Sequence, residues 1–304
     1  MTTDAAHQIA FRAMNSDIEL LCYGPGAERR LNRAATWLAA YEERYSRFRV
    51  LSELSRLNAA AGRPFRSSPG LFRFVRLALD FARRSDGVFD PTVLRQLELA
   101  GYDRSFELIT HAPARAPRTA PQKARWSDVR LDEASRTITL PEGAGIDLGG
   151  VGKGWAVDRM ASILGRPCLV NGGGDVFAGE KPPDDATWRV GVADPFAPER
   201  DLMVMRVVDR GVATSSSLRR RWKAGEATLH HLIDPRTGAP SAADAVQVTV
   251  VAPSTLLADY HAKVALILGA DAGLAYIDAQ ADVEGALVRS DGAVFTSRAL
   301  PAYL

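Results

Sequence analysis

Cysteine is nearly absent: Cys22 and Cys168 are the only two in 304 residues, and they form no Cys-x-x-Cys pair. Two thiols make neither a tetrahedral thiolate metal site nor a dense disulfide framework, so packing is their expected role. Excess charge of one sign is missing as well. Thirty-eight Lys and Arg stand against 36 Asp and Glu, a formal +2, which carries no global nucleic-acid signature. The local run Arg219, Arg220, Arg221 reads as solvated basic surface, with contact to phosphate as the alternative. No stretch reaches the roughly 18 consecutive apolar residues of a membrane-spanning helix, so no membrane insertion is expected. The opening MTTDAAHQIAFRAMNSDIELLCYG has no basic start leading into an apolar run, and a cytoplasmic location is the expectation from it. What is present is ordinary for a folded soluble chain: 46% hydrophobic residues and a mean hydropathy of -0.10.

The periodicity changes along the chain. Ile9 to Tyr23 alternates as a strand does and runs into the turn residues Gly24, Pro25 and Gly26. Leu31, Ala34, Ala35, Leu38, Tyr41, Tyr45 and Phe48 then mark one face of a helix. A second helix is expected through Leu71, Val75, Ala78, Leu79 and Ala82, entered at Pro69 and Gly70 and left at Asp86 and Gly87. Pro113, Pro117 and Pro121 predict a surface excursion between His111 and Pro121. Trp126 to Leu140 reads as a strand and turn pair. Further strands are expected at Cys168–Val170, Trp188–Val192, Leu202–Val208 and Val246–Val251, and a helix in LLADYHAKVALILG. There is no internal repeat. The pattern predicts an α+β fold, with mixed and largely antiparallel sheets and packed helices, in a single composite domain over 1–304.

Three polar clusters carry chemistry. In DLGGVGKG, Gly149, Gly150, Gly152 and Gly154 permit turns or close backbone approach, Lys153 can meet a phosphate, and Asp147 can accept hydrogen bonds or help organise metal. Gly154 stands where a Walker loop needs Ser or Thr, and the segment is no dinucleotide fingerprint. Asp158 reads as a helix-start or salt-bridging residue, Trp155 as helix packing or a flavin stack, and Met160 as core. In NGGGDV, Asn171 and Asp175 flank three glycines that can curve toward a ligand. In HHLIDPRTG, His230, His231 and Asp234 enter a turn closed by Pro235 and Gly238. Asp259 and Lys263 stand four apart on the expected helix, the spacing of a salt bridge; lysine has no oxygen to offer a metal.

Taken together, AMNS, SRFRVLSELSRLN, GVFDPTV, DLGGVGKGWAVD, NGGGDVFAGE, HLIDPRTG and ADYHAKVALILG resemble the ApbE family of FAD:protein FMN transferases from about residue 9 to residue 298. That resemblance implies a flavin-binding enzyme that cleaves the FAD pyrophosphate, attaches FMN to a Thr or Ser hydroxyl of a flavoprotein acceptor and releases AMP. FAD would be the substrate and Mg2+ the cofactor. It assigns FAD contacts to Met14, Phe48, Asp147, Lys153 and Ile233, the last as a backbone or packing contact. Phe48 stands where the family often has Tyr. Metal ligation falls to the Gly150 carbonyl and Asp259, and the transfer site to His231 and Asp259. Lys263 replaces an expected Thr, and Ser216 a common glycine; Thr214, Ser215 and Ser216 read equally as phosphate contacts or as loop hydrogen bonding. SDGAVFTSR resembles the start of a flavinylation acceptor but has Val294 where a hydroxyl is wanted, which argues against self-modification. FAD hydrolysis without protein transfer, and flavin binding without chemistry, stand as alternatives.

Overall fold

The opening segment folds back on itself. Ala6–Ala13 and Ser16–Tyr23 pair as an antiparallel hairpin across Met14 and Asn15, both left-handed with φ 53 and 54°. Two central residues at positive φ give a turn whose twist matches its strands. The single strand expected over Ile9–Tyr23 is therefore two. Asn enters that region readily, whereas for Met it costs about 1–2 kcal/mol.

The computed structural model describes residues 5–109, 124–224 and 226–304; the proline-rich excursion expected at His111–Pro121 lies outside the described residues. The chain divides into two units, each assembled from separated stretches. The first takes its residues from 1–40, 151–216 and 243–304, the second from 41–150 and 217–242.

The first unit is built on an eight-stranded sheet. Its order is Ala6–Ala13, Ser16–Tyr23, Cys168–Gly172, Val176–Gly179, Arg210–Ser216, Ala245–Ala252, Glu284–Arg289 and Val294–Thr296, every neighbouring pair antiparallel. Ala245–Ala252 is buried at all eight positions, because both faces of the sheet are covered there. Its polar members Gln247 and Thr249 are buried with the valines and are hydrogen-bonded there, Gln247 donating to the Ala193 carbonyl at 2.9 Å. The helix Thr255–Leu268 packs against this strand and Arg210–Ser216. A hairpin of Trp188–Ala193 and Asp201–Val207 supplies Trp188, Val190, Val192, Met205 and Val207 to an apolar cluster shared with Val176, Val212 and Val251. Cys22 and Cys168 sit directly opposite each other in register, free and fully buried. Burial pushes the Cys168 thiol up to about 12, so these are inert packing residues, as expected.

The second unit combines the helices Glu53–Ala59, Pro69–Arg84 and Leu94–Leu99 with a small sheet of Pro64–Arg66, Thr137–Thr139 and Arg130–Asp132 and the strand pair Arg221–Ala224 and Ala227–His230. Ser68 caps the Pro69 helix by accepting the Leu71 N–H, and Pro69 takes the first helical position, where its missing N–H is harmless. Among the described residues no helix is long and apolar enough to cross a membrane.

Candidate functional site

DLGGVGKG is the start of a helix. Gly149 opens Gly149–Leu164, so Gly150, Gly152, Lys153 and Gly154 lie in its first two turns. Each interior glycine costs about 1 kcal/mol relative to alanine; what it supplies is proximity. A Cβ on Gly154 would come within 2.7–2.9 Å of the Thr255 and Leu256 backbone, so within the first unit the two helices touch chain to chain. The Gly154 N–H consequently lies 3.4 Å from Asp259 Oδ2. Asp158 accepts the Thr255 and Leu256 N–H groups at 2.8 and 2.9 Å, and Ser254 accepts that of Leu257 at 3.2 Å. Asp158 is thus a helix-capping carboxylate. Burial pushes its carboxyl up, and the backbone bonds oppose that shift.

The same contact gathers four charges. Lys153 is ion-paired with Asp175, and Lys263 with Asp259 one helical turn away. Asp175 arrives through the NGGGD turn, where Gly173 and Gly174 adopt φ 71 and 96° and Asn171 accepts the Gly174 N–H at 2.8 Å while donating to Glu19 at 3.1 Å. Both carboxylates are buried, with side chains 1% and 2% exposed, whereas the lysines keep 20% and 12%. Burial pushes the Asp259 carboxyl up; Lys263 opposes this most strongly, Asp175 adds to it and Lys153 opposes it. The two pairs therefore share one field.

Magnesium does not suit this donor set. Asp259 Oδ1 already receives the Lys263 ammonium, and lysine brings a positive charge and no oxygen. Among the described residues no three His, Cys, Asp or Glu gather as a metal group.

The second unit holds a different cluster. Arg47 Nε lies 3.0 Å from Asp147 Oδ2, both side chains largely buried, and Arg47 Nη1 donates to the Tyr102 carbonyl at 2.8 Å. Its guanidinium carbon sits 4.2 Å from the Phe48 ring centre and 4.6 Å from that of Tyr102. Tyr102 stacks on Trp222 at 5.6 Å and meets His231 edge-on at 6.2 Å. Ile233 joins the apolar cluster of Leu97, Tyr102 and Trp222. Burial pushes the Tyr102 phenol up against the opposing charges of Arg220 and Arg47. Asp147 also accepts the Gly149 N–H. In the following turn Asp234 receives the Arg236 backbone N–H and guanidinium at 2.9 Å, which locks IDPRTG. His230 Nε2 lies 3.0 Å from the Ser241 carbonyl and its Nδ1 accepts the Leu232 N–H at 3.3 Å.

Of the expected site residues, the first unit brings Lys153 and Asp259 together and carries Met14 on its hairpin turn. The second links Phe48, Asp147, His231 and Ile233 through Arg47 and Tyr102. Gly150 lies in the opening turn of its helix. Trp155 packs on Trp37 at 5.6 Å, the structural reading of that residue. Thr214, Ser215 and Ser216 lie on the strand Arg210–Ser216 and not in a loop; Thr214 bonds Thr249 at 2.8 Å and Ser216 donates to the Val246 carbonyl at 3.1 Å, both on the neighbouring strand. Residue-by-residue reasoning missed Arg47, Tyr102 and Trp222. Arg47 stood inside the quoted SRFRV, where a cation beside an aromatic was the available signal.

The ApbE family profile matches residues 14–287. The chain belongs to the ApbE family. An FAD:protein FMN transferase of Treponema pallidum is 30% identical over 259 residues, covering 79% of this ApbE-family chain and 71% of that protein. One from Klebsiella pneumoniae is 26% identical over 308 residues, covering 98% and 93%. The fold is shared with the ApbE protein of Thermotoga maritima, with TM-score 0.90, 22% identity and 98% and 99% coverage. It is shared too with the flavin transferase ApbE of Vibrio cholerae, at 0.82, 23%, 99% and 100%.

Proposed function

We infer that this chain is an FAD:protein FMN transferase. The observation that carries the reading is the relationship to curated enzymes of that activity along most of both chains. The family match runs through stretches of both units, which supports treating 1–304 as one composite domain. In the reaction the hydroxyl oxygen of an acceptor Thr or Ser attacks the FMN-side phosphorus of FAD. A new oxygen–phosphorus bond forms, the pyrophosphate bond to AMP breaks, and the hydroxyl proton is released. Such transfer depends on alignment and on positive charge where the phosphoryl oxygens gather electrons.

Within the first unit, Lys153 is the group for the pyrophosphate: it sits at the start of a helix, where backbone N–H groups also favour anions. Asp175 holds its ammonium in place and Asp259 orders the second lysine. Within the second unit, Asp147 and the Phe48 ring are the proposed flavin contacts, Ile233 is a packing contact, and His231 organises the transfer site. Met14 is the flavin contact on the hairpin. The resemblance also implied magnesium at Gly150 and Asp259; because the Asp259 environment does not suit it, no step is assigned to a metal. The acceptor is a flavoprotein segment that presents a Thr or Ser hydroxyl.

Incubating the protein with FAD and a synthetic Asp-Gly-Ala-Thr peptide tests the reading through its products. Covalent FMN on the peptide with an equal amount of AMP is expected. Free FMN and AMP beside unmodified peptide would replace transferase by hydrolase, and FAD retained intact would leave a binding protein.

A further inference from the structure

Asp259 is one of the two enclosed carboxylates of the first-unit cluster. Its side chain is 2% exposed and its two oxygens are engaged, one by the Gly154 N–H and the other by Lys263. The i,i+4 spacing on the Thr255–Leu268 helix puts the lysine on the acid without help from any other element. The neighbouring acid, Asp175, is likewise matched by Lys153. Two carboxylates and two ammonium groups sum to zero, so a divalent ion added here would bring two uncompensated charges into a buried site. It would also find no oxygen at position 263, and hard divalent cations need several oxygen ligands. Exposure divides the four groups in the same sense: the acid side chains are 1% and 2% exposed and the lysine side chains 20% and 12%.

We propose that Lys263 is the resident cation at Asp259: it closes that carboxylate to divalent metal, and flavin transfer by this chain proceeds without one. The ammonium, in place of a metal, then contributes positive charge beside Lys153. The second clause rests on the transferase reading; closure to metal does not.

The test uses the full chain freed of metal with EDTA and dialysed. MnCl2 is titrated while free Mn2+ is followed by electron paramagnetic resonance, for the wild type, Asp259→Asn, Lys263→Thr and Lys263→Thr combined with Asp259→Asn. The wild type should show no saturable binding below about 1 mM, and Lys263→Thr should bind at least about tenfold more tightly, a gain lost in the double variant. AMP release from FAD with the Asp-Gly-Ala-Thr peptide should stay within about twofold between EDTA and MgCl2 for the wild type, and fall at least about tenfold in EDTA for Lys263→Thr. Saturable Mn2+ binding by the wild type that Asp259→Asn removes, or wild-type release that EDTA stops and MgCl2 restores, overturns the proposal. If no AMP appears with any cation while the Mn2+ titrations behave as expected, the transferase reading fails and the closed carboxylate stands. Should circular dichroism show that Lys263→Thr does not fold, the wild-type titration decides alone.

Discussion

The two units hold their charges by opposite means. In the first, Asp175 and Asp259 are sealed from solvent and each is answered by a lysine, so the cluster depends on full pairing. In the second, Arg47 is held by one carboxylate, one carbonyl and two aromatic faces, and its charge is spread over a plane that stacks as well as donates. Point charges deep in a fold are intolerant of losing a partner, whereas a guanidinium among rings has several weaker supports. The difference teaches where substitutions should hurt the fold and where they should mainly hurt recognition.

The largest effect should come from stranding a buried carboxylate. Lys153→Met leaves Asp175 unpaired and is expected to cost about 3–5 kcal/mol in urea unfolding, with Asp175→Leu in the same chain restoring most of it. Arg47→Lys in the second unit retains the charge but loses the planar fork; a loss of about 1–3 kcal/mol is expected, smaller than the first. Equal losses from the two substitutions would erase the contrast.

Much of the frame was legible in the sequence because it is local. Leu71, Val75, Ala78 and Ala82 keep helical spacing and lie buried on one helix, and Asp259 and Lys263 meet because four residues make one helical turn. What stayed hidden depended on distant chain or on backbone shape. Lys153 and Asp175 are separated by a helix and a strand, and Arg47 and Asp147 are a hundred residues apart, so neither pairing has a period to betray it. The glycines of DLGGVGKG permit either turns or close backbone approach; they open a helix, and Gly154 serves the second use by admitting another helix's backbone. The Met14–Asn15 turn escaped because methionine is no turn residue.

Smaller effects probe the helix contact that carries the lysines. Gly154→Ala should destabilise by about 1–3 kcal/mol, since the added methyl meets main chain that cannot rotate away. Asp158→Ala removes two N–H acceptors from the start of the Thr255–Leu268 helix and should cost about 1–2 kcal/mol. A thermal melt of each variant checks both.

The smallest effect is a pH dependence in the second unit. Burial holds the His230 pKa below its ordinary value, and its two ring nitrogens are matched to a neutral imidazole. Its contribution to stability is complete above the unfolded histidine pKa of about 6.5 and is lost as pH falls through the lower folded value. The melting temperature should decline over that interval, and His230→Gln should flatten the decline.

The most direct measurement of the central claim is intact-mass analysis of two peptides after incubation with protein and FAD. One ends in Asp-Gly-Ala-Thr; the other carries Val in place of Thr, as in the chain's own Asp291–Val294 segment. The account predicts one FMN added to the Thr peptide and none to the Val peptide; an unmodified Thr peptide beside released FMN and AMP would contradict it.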